Sequence, residues 1–428
     1  MKKSIGALAA FCIAASLIFT GCQDSGKTTL KMGDNHPDRN SGVGAVLERV
    51  NAEFLEIHED VKIVTESYQD QPWQEKVKIY ATANKLPDIM KYWTFPGRMV
   101  PLVEAGLLEK LNKDDFAEFG YMPGALESSE YNGELYGIPV SADLWVIYVN
   151  KSLFARAGVP LPNTWEDVIA SVPAFRAINV TPMVTNGMEG WPLCIFFDGI
   201  AQRINGDFTR LHAAIDRKDG VTYTDPDFVQ AAQYIQNMVN AGVFSANLTI
   251  SDYGDARNQF GQERAAMYMM GAWEMGLATD ANFSESFHNS LDVIKFPLIA
   301  GGKGVATDTQ AWFGGNYIIS ARSKNKELAH AYLRLLGEKF GEYGWETQAF
   351  FPAQKVEPRP DDTLVAKKLL QIAAEATSTS GTPGLDRSSS VFNGEHQELM
   401  RQLCSNIITP EEFCRRLDAV AEQASKEL

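Results

Sequence analysis

The sequence carries few of the residue patterns that catalytic chemistry requires. It contains no Gly-x-Ser-x-Gly elbow for a serine nucleophile and no His-Glu-x-x-His pair for a catalytic zinc. Its six histidines are scattered and its five cysteines form no Cys-x-x-Cys pair, so we expect neither a metal nor a cofactor. Acidic residues are plentiful, but sequence alone cannot place two carboxylates across a glycosidic bond. We do not expect an enzyme, and a glycosidase stays open as the weaker alternative.

One phosphate-binding pattern does occur near the start of the chain. Gly21 to Thr28, GCQDSGKT, satisfies the P-loop pattern GxxxxGKT. That loop needs a buried strand before it and a helix after it, whose N-terminus binds phosphate. Here a basic, apolar chain start precedes the pattern, and Thr28 to Met32 alternates like a strand. We therefore do not expect nucleotide binding.

Aromatic and acidic side chains point to a different chemistry. The chain has 8 Trp, 14 Tyr and 23 Phe, together 11% of its residues. Aromatic rings stack on the apolar faces of sugars, while carboxylates and amides bond to the hydroxyls. The composition is sufficient for a sugar-binding cleft, although most large aromatic side chains of any protein lie in its core.

The elements that must position such side chains begin with a sheet. Strand patterns at residues 28–32, 61–65 and 88–93 alternate with helical spacing of apolar residues at 43–57 and 73–81. This order predicts an α/β fold with a parallel sheet covered by helices.

Ligands of such sheets bind at the carboxyl ends of the strands. Asp34 and Asn35 follow the first strand, and Trp93 ends the third, so all three are candidate ligand contacts. A turn in which Asp34 and Asn35 satisfy their own backbone is the alternative.

Two further candidates lie in the C-terminal half of the chain. Trp191 stands in the segment EGWPL, and Asp386 lies in a Ser-, Thr- and Gly-rich stretch, residues 377–390, that we expect to be a loop. Asp386 could close over a ligand, or it could form a surface ion pair with Arg387.

The chain start is typical of a processing signal. Lys2 and Lys3 precede a 15-residue apolar run, residues 5–19, which is short for a membrane span. The run ends in Gly21-Cys22, which resembles the lipobox of bacterial lipoproteins. We predict a signal peptide over residues 1–21, lipidation of Cys22 and a tether over residues 22–27. The protein would then be extracytoplasmic and anchored to the cell membrane.

Charge and cysteines narrow the partners further. The net charge of −15 repels nucleic acid and anionic membrane surfaces, so we expect neither as a direct partner. Cys194 lies in an apolar run and is predicted to be a buried thiol. Cys404 and Cys414 flank a turn between two helices, where a disulfide and two free thiols are both open.

Several segments together resemble family 1 extracellular solute-binding proteins, the maltose-binding-like group. The resemblance is carried, in chain order, by ATANKLPDIM (81–90), YNGELYGIPV (131–140), LWVIYVNK (144–151) with NTWED (163–167), FGQERAAM (260–267) with GAWE (271–274), and GGNYIIS (314–320) with SKN (323–325). Their order and spacing cover most of the chain.

The resemblance implies the two-lobed type II fold of periplasmic binding proteins, with the ligand between the lobes. The chain is expected to cross between lobes near residues 140–146 and 312–318. The first lobe would combine residues 28–142 and 316–352, and the second would combine residues 147–312 and 353–428.

The resemblance also implies ligand contacts. Trp273 matches the tryptophan of the family that stacks on sugar, and Asp143 matches an acidic position that accepts sugar hydroxyls. Trp145, two residues from Asp143, points to the same side of an extended chain. Trp312 precedes the second expected crossing. Core packing is the alternative for each tryptophan.

These observations predict a monomeric binding lipoprotein that delivers a carbohydrate, expected to be an oligosaccharide, to the permease subunits of an ABC importer. Two alternatives stay open. The same scaffold could bind a polyamine or a glycerophosphodiester instead, or the aromatic cleft could belong to a lipid-anchored glycosidase.

Overall fold

The computed structural model describes residues 26–426 of the 428-residue chain. The predicted signal peptide, Cys22 and most of the predicted tether lie outside the described residues.

The strands of the described chain are β1 (Thr28–Asp34), β2 (Val61–Ser67), β3 (Ile89–Trp93), β4 (Glu130–Tyr131), β5 (Glu134–Leu135), β6 (Ile138–Pro139), β7 (Ala142–Asn150), β8 (Thr181–Val184), β9 (Ala265–Gly271), β10 (Leu291–Ile294), β11 (Asp308–Thr309), β12 (Ala311–Phe313), β13 (Gly315–Ile319) and β14 (Ser378–Thr379).

The α-helices are α1 (Gly42–Ile57), α2 (Asp70–Thr82), α3 (Pro96–Glu104), α4 (Lys151–Ala157), α5 (Trp165–Ala177), α6 (Trp191–Asn205), α7 (Phe208–Asp216), α8 (Pro226–Ala241), α9 (Tyr253–Gly261), α10 (Glu285–Ser290), α11 (Lys326–Glu346), α12 (Leu364–Glu375), α13 (Gly384–Arg387), α14 (Ser390–Cys404) and α15 (Pro410–Ala424).

The first sheet has the strand order β2-β1-β3-β13-β6. β1 pairs in parallel with β2 and β3, as the alternation of strand and helix predicts. β13 is antiparallel to both β3 and β6, so the sheet is mixed rather than purely parallel. Alternate residues of β3 enter different cores: Ile89 packs with α1 and α11, and Met90 packs with α2 and α3. Helices therefore cover both faces of this sheet.

The second sheet has the order β10-β7-β9-β8, and β12 pairs with the start of β7. β9 runs antiparallel to β7 and parallel to β8. Every residue of β7 is buried, as expected for the central strand of a sheet with both faces covered. Helices α5, α6, α8, α14 and α15 add their apolar faces to the same core.

The chain passes between the lobes at three places: twice directly from strand to strand, and once after α11, which packs in the first lobe, on the way to α12, which packs in the second. β6 of the first sheet ends at Pro139 and β7 of the second begins at Ala142, while β12 ends at Phe313 and β13 begins at Gly315. The strands therefore form two α/β lobes joined by short crossings. The detailed lobe boundaries given above stay a prediction.

Two smaller features concern the cysteines and the helices. Cys194, Cys404 and Cys414 are buried free thiols, so Cys404 and Cys414 form no disulfide in this structure. None of the helices within residues 26–426 combines the length and apolarity needed to cross a membrane.

Candidate ligand-binding site

Four tryptophans of the second lobe come together in one cluster. Trp145 lies on β7, Trp191 begins α6, Trp273 follows β9 and Trp312 lies on β12. Ring centroids are 5.8 Å apart for Trp191 and Trp273, 6.0 Å for Trp145 and Trp191, 6.1 Å for Trp145 and Trp273, and 6.2 Å for Trp273 and Trp312. The sequence predicted each of these residues separately as a ligand contact, and the fold brings their rings into contact.

Strand pairing explains the position of the cluster. Trp145 is opposite Gly271 in the pairing of β7 with β9, so Trp273 follows two residues after that point. A Cβ atom at Gly271 would lie 2.1 Å from the Trp273 ring, which therefore needs glycine beneath it. Trp145 is 1% exposed, whereas Trp191, Trp273 and Trp312 are only partly buried. The last three thus keep ring surface available for contact.

Asp143 lies beside this cluster, on β7 directly opposite Trp312. The residue is 6% exposed, and its Oδ1 has no hydrogen-bond partner within residues 26–426. Burial raises the pKa of Asp143 to about 7, against the opposite influences of Ser141, Lys91 and Trp312. A Cβ atom at Gly314 would lie 1.7 Å from Oδ2, so the second crossing leaves room for the carboxyl group.

Lys91 and Trp93 face this region from β3 of the first lobe. The Nζ atom of Lys91 lies 3.5 Å from the centroid of the Trp93 ring, a cation–π contact. Lys91 is 6% exposed, and burial lowers its pKa to about 8, although nearby Asp70 and Asp143 raise it. Its Cε would lie 2.2 Å from a Cβ atom at Gly315. Asp143 and Lys91 therefore flank the two glycines of the second crossing.

Buried polar atoms without partners occur in this cluster, just after the ends of β1 and β8, and elsewhere in the described chain. In the described chain, Asn35 Oδ1, Asn186 Oδ1, Trp145 Nε1 and Trp191 Nε1 are inaccessible to solvent and form no hydrogen bond. Such atoms are rare because leaving one unpaired costs about 1–3 kcal/mol. Together with Asp143 Oδ1, they are donors and acceptors that a polar ligand could satisfy.

Asp34, by contrast, has partners of its own. Its carboxylate accepts a hydrogen bond from Arg39 at 2.5 Å, another from the Ser67 hydroxyl, and a third from the backbone N–H of His36 at 2.9 Å. These contacts tie the loop after β1 to β2. The geometry favours the turn alternative for Asp34, whereas neighbouring Asn35 keeps an unpaired oxygen.

Asp386 is neither in an irregular loop nor paired with Arg387. The expected loop at residues 377–390 contains β14 and the one-turn helix α13, and Asp386 lies in α13. Its Oδ1 accepts a hydrogen bond from Nε of Arg98 at 2.7 Å. Arg98 belongs to the first lobe, so the surface ion pair suggested by the sequence is replaced by a buried pair between lobes.

Sequence reasoning missed three residues of this region: Lys91, Arg98 and Asn186. Lys91 interrupts the apolar run of β3. A lysine within a buried strand is rare unless it has a partner or a function, so its position could have identified it as a candidate. Asn186 follows the carboxyl end of β8, which is parallel to β9. Ligands of α/β sheets bind at the carboxyl ends of strands, so this rule could have identified Asn186. Arg98 carries no comparable signal.

A separate surface groove of about 580 Å³ lies between α6, α8 and residues 299–303. It contains no tryptophan, and its Arg210 is already paired with Asp225 and Asp227 at 2.8 and 2.7 Å. The groove therefore offers neither the aromatic rings of the tryptophan cluster nor a free guanidinium group at Arg210.

Comparison with known proteins bears on the family. The model of the bacterial extracellular solute-binding protein family matches residues 38–339. The multiple sugar-binding protein of Streptococcus mutans is 24% identical over 54% of this chain, which spans only 53% of that relative. The galactooligosaccharide-binding protein of Bacillus subtilis is 23% identical over 89% of this chain and 88% of its own length.

A solved structure extends the match to the whole fold. It comes from a study of xylan utilization by the thermophilic bacterium Caldanaerobius polysaccharolyticus, and it is 26% identical with a TM-score of 0.83. The alignment covers 92% of this chain and 99% of that chain. The expected type II, two-lobed α/β fold is therefore confirmed. By its fold and by the family match over residues 38–339, the chain belongs to the bacterial extracellular solute-binding proteins.

Proposed function

We propose that this protein captures a neutral carbohydrate, an oligosaccharide, between its lobes outside the cell and delivers it to an ABC importer. One observation carries the proposal: four clustered tryptophans lie beside buried polar atoms that have no partner in the described chain. Sugars combine apolar ring faces with hydroxyl groups and would satisfy both features at once.

The names of the relatives support the same ligand class. Two similar proteins bear names that specify sugars or galactooligosaccharides. Three rings of the cluster, Trp191, Trp273 and Trp312, keep exposed surface and lie about 6 Å apart in sequence of contact, which offers stacking surface for more than one sugar ring. An oligosaccharide therefore fits better than a single sugar.

The charges near the cluster favour an uncharged ligand over a polyamine or a glycerophosphodiester. A polyamine needs several ionised carboxylates without cationic neighbours, but Asp143 already interacts with Lys91, and burial raises the pKa of Glu189. A phosphodiester needs unpaired cations, but Arg98 is paired with Asp386. Lys91 also carries a positive charge in this region, but Asp143 lies near enough to interact with it.

We further propose that the protein is a monomer anchored to the cell membrane through lipid on Cys22, and that it docks on permease subunits. The support is the sequence of residues 1–27 and the family membership. The family binds solutes rather than converting them, which argues against the glycosidase alternative.

Thermal-shift measurements with a panel of ligands test the binding proposal. The panel contains xylo-, galacto-, malto- and chito-oligosaccharides, raffinose, polyamines and glycerophosphodiesters. A ligand at about 100 times its dissociation constant adds about 2.7 kcal/mol, enough to raise the melting temperature by a few degrees. We expect a shift with one class of oligosaccharide and no cleavage of the sugar afterwards.

Two variants make this test specific. Trp273→Ala should weaken binding roughly tenfold or more, because a central aromatic contact is lost. Tyr343→Ala also removes a partly buried aromatic side chain, but on α11 of the first lobe, and should bind normally. A shift confined to polyamines or phosphodiesters would refute the sugar assignment, and loss of the sugar during incubation would indicate a glycosidase.

The lipid anchor has its own test. In cells, the native protein should partition with the membrane fraction, and mass spectrometry should find it processed to begin at Cys22 with diacylglycerol on that residue. Cys22→Ala should abolish the modification. Finding the native chain unmodified would contradict the anchor while leaving the binding proposal intact.

A further inference from the structure

We propose that Arg98 and Asp386 form a clasp between the lobes, a pair of positioning residues that stabilises the closed form and thereby sets the ligand affinity. Arg98 lies on α3, whose Met99 and Leu102 belong to a core of the first lobe. Asp386 lies on α13, whose Leu385 belongs to the core of the second lobe. The Nε–Oδ1 distance is 2.7 Å, and the side chains are 13% and 8% exposed. The pair is thus a buried contact between two bodies.

Each partner is also held by a neighbour in its own lobe. A terminal nitrogen of Arg98 donates a hydrogen bond to the Gln74 side chain on α2. Asp386 accepts a hydrogen bond from Nδ2 of Asn393 on α14 at 2.8 Å. Because each bond lies within one lobe, it can orient its side chain independently of the ion pair, which reduces the conformational freedom lost when the lobes meet.

The backbones touch at the same place. A Cβ atom at Gly97 would lie 1.9 Å from the carbonyl oxygen of Ser388 and 3.4 Å from that of Asp386. Only glycine at position 97 therefore allows α3 to approach residues 386–388 this closely. The ion pair and the close approach together fix one relative position of the lobes.

The clasp is connected to the ligand site. The Arg98 guanidinium carbon lies 5.3 Å from the centroid of Trp93, the ring that Lys91 covers from 3.5 Å. Closure that forms the clasp therefore also fixes Trp93, on the first-lobe side, relative to the second lobe. Opening the lobes would break the clasp and the ligand site together.

The magnitude of a buried ion pair suits a reversible clasp. Desolvation offsets much of the attraction between the two charges, so an intact pair does not lock the lobes. Removing one partner is different, because it leaves an unpaired buried charge in the closed form alone. In the open form the remaining charge regains water. A single substitution should therefore shift the equilibrium toward the open form.

Small-angle scattering tests the clasp through the separation of the lobes. We compare native protein, Asp386→Asn, Arg98→Gln and the exchange Arg98→Asp with Asp386→Arg, each with and without the sugar identified by the thermal-shift panel. The single variants should have a larger radius of gyration in the presence of that sugar and about tenfold weaker affinity. The charge exchange should restore both in part.

The chain offers a matched control next to the clasp. Arg387 pairs with Asp216 of α7 at 2.8 Å, within the second lobe, so Arg387→Gln removes an ion pair that does not join the lobes and leaves the backbone at residues 386–388 unchanged. This variant should bind sugar and scatter like the native protein. Far-UV circular dichroism of every variant identifies any that fails to fold. If Asp386→Asn or Arg98→Gln fails to fold, the radius and affinity of the other one test the clasp.

The affinity measurement rests on the proposed sugar binding, but the lobe separation does not. If no sugar of the panel binds, the ligand-free radii decide: larger radii in both single variants than in native protein and Arg387→Gln support the clasp. Equal radii for native and single variants, under every condition in which they are compared, overturn it whatever the ligand proves to be.

Discussion

At the residue scale, two buried charges of opposite sign flank the second crossing. Asp143 lies against Gly314, and Lys91 lies against Gly315. Burial moves the two pKa values toward each other, to about 7 for Asp143 and about 8 for Lys91. Asp143 is a carboxylate above about pH 7, and Lys91 is an ammonium below about pH 8. Both are charged, and can bind hydroxyls in that form, only between these two values.

We predict that sugar affinity passes through a maximum between about pH 7 and pH 8. Below this range Asp143 is protonated and accepts fewer hydrogen bonds, and above it Lys91 loses its proton and its charge. Titration calorimetry from about pH 5.5 to 9.5 measures the profile. Asp143→Asn should flatten the acid side, and Lys91→Met should flatten the alkaline side. A native profile without a maximum would contradict the assignment of both residues.

His396 illustrates a buried group that the binding function does not use. It is fully buried in α14, among the rings of Phe197, Phe392 and Phe413 at 5.9, 5.6 and 6.2 Å. Neither ring nitrogen forms a hydrogen bond within the described chain. Burial lowers the pKa of His396 to about 3, so the folded protein keeps this ring neutral.

We predict that His396 makes the protein less stable in mild acid. Below the ordinary pKa of 6.5 the unfolded chain takes up a proton that the folded chain does not. The free energy of unfolding therefore decreases as the pH is lowered below this value. The loss is about 1.4 kcal/mol per pH unit, or about 2 kcal/mol at pH 5. Urea unfolding at pH 7 and pH 5 should show this loss in native protein and a smaller one in His396→Phe. The same pH dependence in both would exclude the effect.

At the element scale, the end of β9 decides where Trp273 lies. Gly271 is the last residue of the strand and pairs with Trp145, and the Trp273 ring packs over its Cα. The strand thus supplies both a neighbour for the cluster and the space that the cluster needs.

We predict that Gly271→Ala weakens sugar binding at least tenfold, because the new methyl group would lie 2.1 Å from the Trp273 ring and must displace it. Gly394→Ala is the control, since it lies inside α14 with no atom within 4 Å of the added methyl. That variant should bind normally and gain about 0.5–1 kcal/mol of stability. Calorimetry and thermal unfolding measure both; normal binding by Gly271→Ala would show that the ring position is unimportant.

At the scale of the whole molecule, the crossings determine how the lobes move. The first passes from Pro139 to Ala142 and the second from Phe313 to Gly315, so each is only a few residues long. Two of the proposed ligand contacts lie next to the crossings, because Asp143 and Trp312 form an opposed pair where β12 meets β7. We therefore expect movement of the lobes and occupation of the proposed site to be coupled through these residues.

We predict that Gly314→Ala impairs both affinity and closure. Its methyl group would lie 1.7 Å from Oδ2 of Asp143 and 2.9 Å from Oγ of Ser141, so the carboxyl group or the crossing must move. The variant should bind sugar at least tenfold more weakly and contract less on sugar addition than native protein in small-angle scattering. Unchanged binding and contraction, as expected for the Gly394→Ala control, would contradict a role for this crossing.

The sequence by itself determined the local elements and the order of the fold. Strand alternation around Thr28–Asp34 and Val61–Ser67, with helical spacing between them, predicted parallel strands that the structure contains. This was possible because the periodicity of apolar residues depends on short-range geometry. The motifs spread over the chain identified the solute-binding family, which the family match confirms.

Only the tertiary structure decided which side chains share a site. Trp145, Trp191, Trp273 and Trp312 are separated by up to 167 residues, and the sequence offers a separate reason for each but no sign that their rings meet. The same holds for Arg98 and Asp386, whose pairing depends on how the lobes meet. Contacts of this kind arise from the packing of sheets and helices far apart in the chain, so sequence spacing carries no record of them.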